Sequence, residues 1–200
     1  SYEKKKDKLK GKFYITLKLD GNRCISIVDS DGVKFFSRKG QPIEGMLELE
    51  EQMLSLPNGE YDGEIILKNK DNLKSDEVFR ATPKVVRKDG EKKGLDFYIY
   101  DTLTIGEFKS GKSKRTYEQR RNILDAIVEP VTHHLNNVSV LRVMYCGDDK
   151  DVIPTYASTV EAKGFEGVMV NTASGLYQTK RVSDLLKVKS MKTADLLVVS

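Results

Sequence analysis

The sequence predicts an α+β domain built largely from antiparallel sheets with flanking helices. Three observations carry that expectation. Aromatic and β-branched runs dominate, several adjoin through glycine-containing turns, and helical patterns fall between them irregularly. A parallel α/β sheet would need regular strand–helix alternation instead. The first region, Lys12 to Phe36, contains "KFYITLKLDG", "RCISIVD" and "VKFFS", with Asp-Gly pairs as turn signals. A helix is expected from about Ile43 to Leu56, stopped by "PNG". "YDGEIILK" reads as a strand, residues 75–87 as a helix, and "GLDFYIYDTL" as a strand. Between Thr116 and Leu135 the residues Ile123, Leu124, Ile127, Val128, Val131 and Leu135 recur at helical spacing. "VSVLRVMYC" follows as a strand, Asp151–Lys163 as a helix, and "FEGVMVN", "SDLLKVKS" and "ADLLVVS" as strands.

The 200 residues suffice for one well-buried domain. No apolar run approaches the roughly 20 residues a membrane span needs. The start, "SYEKKKDKLKGK", has no apolar core of the kind a signal peptide carries. Cys24 and Cys146 stand far apart and outside metal-ligand spacing, which fits buried thiols in a reducing, cytoplasmic compartment. Net charge is only +4, yet bases gather at Lys4–Lys12, Lys109–Arg121 and Lys180–Lys192. Such patches suit a polyanionic partner or a solvated surface. His133 and His134 close a helix, where a cation complements the dipole, and have no catalytic assignment.

"GEFKSGKS", Gly106–Ser113, fits the phosphate-loop pattern G-x-x-x-x-G-K-[ST]. That motif needs a buried helix after its lysine, but here "KRTYEQRR" offers no apolar residue before Tyr117. The stretch is lysine- and serine-rich, so the match arises easily, and the strands upstream are not those of a parallel-sheet hydrolase. A mobile basic surface loop is the reading it supports.

A different lysine carries more. In "TLKLDGNR", Thr16–Arg23, strand alternation puts Thr16, Lys18 and Asp20 on one face, with Arg23 beyond the turn. Asp-Gly also occurs at Asp31-Gly32, Asp62-Gly63 and Asp89-Gly90, so a plain hairpin turn is the bland alternative. "KLDGNR" resembles the K-x-D-G-x-R signature of the covalent nucleotidyltransferases: ATP-dependent DNA ligases, RNA ligases and capping guanylyltransferases. "SRKGQPI", "YDGEII", "DFYIYD", "YEQRRNIL", "FEGVMV" and "LLKVK" resemble the further segments of that superfamily, in order along nearly the whole chain.

The resemblance implies a ligase-type, ATP-grasp-like nucleotidyltransferase domain at residues 1–190. Residues 191–200 would begin a linker or a next domain, with the oligonucleotide-binding barrel of the family missing. It implies that Lys18 attacks the α-phosphate of ATP to form a lysyl–AMP. A free lysine, with a pKa of about 10.4, is protonated at neutral pH, and neighbouring cations help expose its lone pair. Lys187 and Lys189 are placed to supply that field near the α-phosphate; an exposed edge-strand face is their bland alternative. By the same resemblance Glu166 and Glu64 would hold Mg2+ or Mn2+, and Glu64 would also meet the ribose. Arg23 would reach sugar or phosphate, Tyr100 would stack on the purine, Thr16 would read the base edge, and Asp20 would fix the geometry of Lys18. Arg38 would meet the phosphate of a DNA nick. The "KDGEK" at Asp89–Lys92 lacks the apolar strand that follows Glu64 and is discounted.

The implied protein is a monomeric DNA ligase of repair, replication and recombination, acting on nicked double-stranded DNA. An RNA ligase or capping core stays open, although Leu17 and Leu19 flank Lys18 where RNA ligases often carry glutamate. A phosphate-loop hydrolase or a noncatalytic nucleic-acid-binding module is the reading from outside this chemistry.

Overall fold

In the computed structural model, residues 6–69, 73–179 and 184–189 are described. The expected α+β class is observed, and its strands sort into three sheets. The five-stranded sheet has the order β3-β2-β4-β5-β7: β3 is Gly32–Ser37, β2 Asn22–Asp29, β4 Gly59–Leu67, β5 Leu95–Leu103 and β7 Val138–Val140. The four-stranded sheet has the order β11-β9-β1-β8: β11 is Leu185–Val188, β9 Val168–Thr172, β1 Phe13–Leu17 and β8 Val143–Gly147. A ribbon of β6 (Lys112–Thr116) and β10 (Leu176–Gln178) completes the set. All pairings are antiparallel except β5 with β7.

Each large sheet buries one alternating face in its own core. Cys24, Val28, Tyr61, Ile65, Phe97 and Ile99 close the first core, under α1 (Leu47–Met53). Ile15, Val168, Val170, Leu186 and Val188 close the second, under α6 (Val152–Ala162). Strand alternation therefore sends the remaining side chains of both sheets outward. Helix α2 (Ser75–Val86) packs on β4, where the buried Thr82 hydroxyl accepts from Leu67 N–H at 3.1 Å. No described helix is long and apolar enough to cross a membrane.

Four expectations need correction. "KLDGNR" is not a hairpin: β1 ends at Leu17 and joins the four-stranded sheet, whereas β2 belongs to the five-stranded one. Residues 18–21 form the crossover, so period-two alternation does not govern Lys18 and Asp20. "VSVLRVMYC" likewise splits into β7 and β8, which lie in different sheets. The long helix from Thr116 divides into α4 (Tyr117–Ile123), a π-helical turn at Leu124–Val128 and α5 (Glu129–Thr132). Cys24 is buried as expected, but Cys146 is exposed because the outer strand β8 has only β1 beside it. The strand expected at "ADLLVVS" lies outside the described residues.

The phosphate-loop pattern is also resolved. Gly106–Ser110 ends helix α3 (Ile105–Ser110), Gly111 caps that helix with φ +67°, and Lys112 opens strand β6. The lysine follows a helix C-terminus instead of leading into a helix N-terminus, the reverse of a phosphate cradle. Nor is the segment an irregular loop.

Candidate active site

The outward faces of the two large sheets enclose a cleft of about 1780 Å³, lined by Lys18, Arg23, Glu64, Tyr100, Tyr177 and Lys187 among others. Lys18 enters it because it opens the crossover between the sheets. Its backbone N–H donates to Gly167 O at 2.9 Å, anchoring it against the loop before β9. Two glycines make this approach possible. A Cβ on Gly21 would lie 2.4 Å from Ile65 O, and one on Gly167, at φ +138°, would lie 2.3 Å from Val188 O. Any side chain there would push the crossover or the loop away from the strands beneath.

The Lys18 ammonium pairs with one oxygen of Glu166 and the Lys189 ammonium with the other. Lys187 and Lys189 alternate outward while Leu186 and Val188 fill the core. Burial first, then the charges of Lys189 and Lys187, pushes Lys18 below the usual lysine range; Asp20 and Glu64 oppose the shift. The sequence pointed to the two lysines but missed burial, which comes from enclosure between sheets. Asp20 acts on Lys18 through charge alone among the described hydrogen bonds.

The opposite wall is acidic. Period-two alternation aligns Glu60, Asp62 and Glu64 along β4, away from the core residues Tyr61 and Ile65. Asp62 accepts from Arg23 Nε at 2.9 Å and from its Nη2, with the carboxylate nearly fully buried. A register shift between Asp62 and Gly63 leaves Tyr100 as an unpaired extra residue on β5. This bulge lets the adjacent residues Tyr100 and Asp101 both line the cleft. Burial, then Asp62, pushes the Tyr100 hydroxyl well above its usual range. Asp101 accepts from Arg120 Nε at 2.7 Å and Nη2 at 3.0 Å, while Arg120 Nη1 donates to Arg115 O at 2.7 Å.

Glu64 lies near Lys18, but burial outweighs that charge and raises its pKa to about 7. Glu60 is wholly buried, and neither carboxyl oxygen has a hydrogen-bond partner among the described residues. Burial, then the charges of Asp62 and Asp101, raises it to about 9, so it is a neutral acid at pH 7. Thr16 is buried in β1 at the cleft wall, and exposed Arg38 sits on the rim just beyond β3. Lys92, in the discounted "KDGEK", is buried and donates to Gly90 O at 3.2 Å and to Glu44 O, a loop-holding role.

Every site residue expected from the sequence except Asp20, which reaches Lys18 only through its charge, thus lies in the cleft or in contact with Lys18 or its partner Glu166. The sequence reading missed Glu60, Asp62, Asp101, Arg120 and Tyr177. Asp62 was within reach of it, since period two joins it to Glu64. Asp101 was not, because a β-bulge leaves no mark in the alternation. Among the described residues no three His, Cys, Asp or Glu side chains converge as a ready metal cage.

A family model described as an ATP dependent DNA ligase domain matches residues 1–189. Among solved structures, Pmar-Lig_PreS3 is similar with a TM-score of 0.78 at 25% identity, over 95% of this chain and 45% of that one. The ATP-dependent DNA ligase of bacteriophage T7, in complex with ATP, has a TM-score of 0.71 at 17% identity, over 94% and 64%. Chlorella virus DNA ligase-adenylate has 0.61 at 23%, over 90% and 63%. The last two likenesses bear on the fold. This chain spans about half the length of the first relative and under two thirds of the other two. Among curated proteins none matches.

Proposed function

Because the chain belongs to the ATP-dependent DNA ligase domain family, we propose that it is the adenylylating part of a ligase that seals nicked duplex DNA. The observation that carries this is the placement of Lys18. It is a partly buried amine with a lowered pKa, set between two sheets and facing Glu166, Lys187 and Lys189. Once the ammonium gives up a proton, the Lys18 Nζ lone pair attacks the α-phosphorus of ATP. The P–N bond forms as the bond to the bridging oxygen breaks, and pyrophosphate leaves. In the parent protein the AMP then passes to the 5′-phosphate at a nick, near which Arg38 stands.

Each wall has its share in this reading. Lys187 and Lys189 hold Lys18 toward its neutral form and face the phosphates. Tyr100 supports the purine, Glu64 meets the ribose, and Asp62 orients Arg23 toward sugar or phosphate. Glu166 and Glu64 are suited to a nucleotide-borne magnesium or manganese ion, since magnesium uses one or two carboxylates with substrate phosphates. Such an ion would neutralise phosphate charge.

The test is the intact mass of the denatured chain after ATP with magnesium. An adenylate-sized increment is expected, reversed by pyrophosphate, absent in Lys18→Ala and not reproduced by GTP. An increment that survives Lys18→Ala sinks the assignment of the nucleophile, and a guanylate increment sinks the choice of ATP.

A further inference from the structure

"GEFKSGKS" has no part in the site above, yet the fold gives its lysines a definite setting. We propose that Lys109, Lys112 and Lys114 form a docking surface for the phosphate backbone of duplex DNA, on the ribbon beside the cleft. The inference rests on the DNA-ligase reading and extends it to a surface outside the cleft.

Lys112 and Lys114 share the outward face of β6, and Lys109 lies in the last turn of α3; all three are exposed. None of their ammonium groups has an ion-pair partner among the described residues. The nearby acid is already engaged. Glu107 accepts from Arg115 Nε at 3.0 Å and from Ser113 Oγ at 2.8 Å on the inward face, and Arg115 holds its carboxyl down at about 2. No described acid offsets the outer charge, so the strand presents two uncompensated cations and the end of α3 a third.

Their position points to the partner. β6 pairs with β10 through Gln178↔Lys112 and Leu176↔Thr116, and Leu176, Gln178 and Thr179 all line the cleft. The patch is therefore one strand, about 4.8 Å, outside the cleft wall. Arg38 and Lys39 line the cleft from the turn after β3, at the edge of the five-stranded sheet. A duplex with its nick at the cleft mouth would run its backbone over both. Sequence-independent phosphate contacts of this kind position a duplex without reading it.

The experiment measures binding of a fluorescent nicked duplex by anisotropy across a salt series, for wild type, K109A/K112A/K114A and K109R/K112R/K114R. Lysyl–AMP formation is followed in parallel. The alanine variant should bind at least tenfold more weakly, with a log K against log salt slope shallower by up to about 2.7, the value for three phosphate contacts. The arginine variant should bind like wild type, and lysyl–AMP formation should be unchanged in both.

Unchanged affinity and slope in the alanine variant, with wild type forming lysyl–AMP and binding DNA, overturns the docking surface alone. An equal loss in the control K163A, at the end of α6, also overturns it, because any lost charge would then suffice. Wild type that forms lysyl–AMP but does not bind duplex at low salt removes the DNA reading and this surface together. Failure to form lysyl–AMP strikes the proposed function and leaves the binding comparison to be judged by itself.

Discussion

The two walls of the cleft solve opposite electrostatic problems. The four-stranded sheet and the crossover bring Lys18, Lys187 and Lys189 together around the single carboxylate of Glu166. The five-stranded sheet buries Glu60 and Asp62, half-buries Asp101, and answers them with Arg23 and Arg120. On the first wall lysines outnumber acids, which depresses an amine and leaves cations for phosphate. On the second wall the charges are mostly matched internally and serve to hold Arg23, Tyr100 and Glu64 in place. The wall to which the proposed chemistry is assigned carries unmatched charge; the opposite wall does not.

Breaking the acidic wall should have the largest effect on folding. Asp101→Ala leaves the guanidinium of Arg120 buried without its carboxylate, a loss expected at about 3–5 kcal/mol. Urea unfolding at pH 7 measures it. The apolar pair Asp101→Leu with Arg120→Met should recover most of that stability, and a double variant no better than Asp101→Ala would refute the pairing account.

A second test concerns the matching itself. Glu60 is raised to about 9, above its unfolded value, so between those values the folded state binds the extra proton. Stability from this group should decline as pH rises from about 5 to 9, on the order of a few kcal/mol. Glu60→Gln keeps the neutral shape and should flatten the profile, gaining on wild type at pH 9. Parallel urea midpoints at pH 5.5 and 9 for the two proteins would contradict it.

The smallest expected change lies on the basic wall. Lys189→Met removes the largest charge contribution that lowers Lys18, so the acid limb of the lysyl–AMP pH–rate profile should move to higher pH. Unfolding stability should barely change, since Lys189 is half-exposed. A shift to lower pH would mean that its pairing with Glu166 matters more than its field at Lys18.

Much of the second wall's logic was invisible in one dimension. Glu64 and Tyr100 stood out because "YDGEII" and "DFYIYD" resemble the superfamily's segments, but Asp101 needed the bulge and Arg120 needed a helix folded back onto β5. The turn at Asp31-Gly32 forms as the pattern predicts, joining β2 to β3. Asp20-Gly21 carries the same local signal and makes a crossover, because its strands find better partners in different sheets. Local propensity does not distinguish the two cases; burial of β1 against β8 and β9 does.

By itself the sequence determined the α+β class and the order of most elements, since strand alternation is local and periodic, and its ligase segments were legible through their resemblance to a known superfamily. It also carried the glycines that the crossover and the β9 loop require. Only tertiary structure decided that Lys18 lies between two sheets, that its amine is depressed first by burial, and that "GEFKSGKS" bends into a helix and a strand. Those outcomes depend on which distant strands pair and what they enclose, and desolvation exists only once both walls are in place.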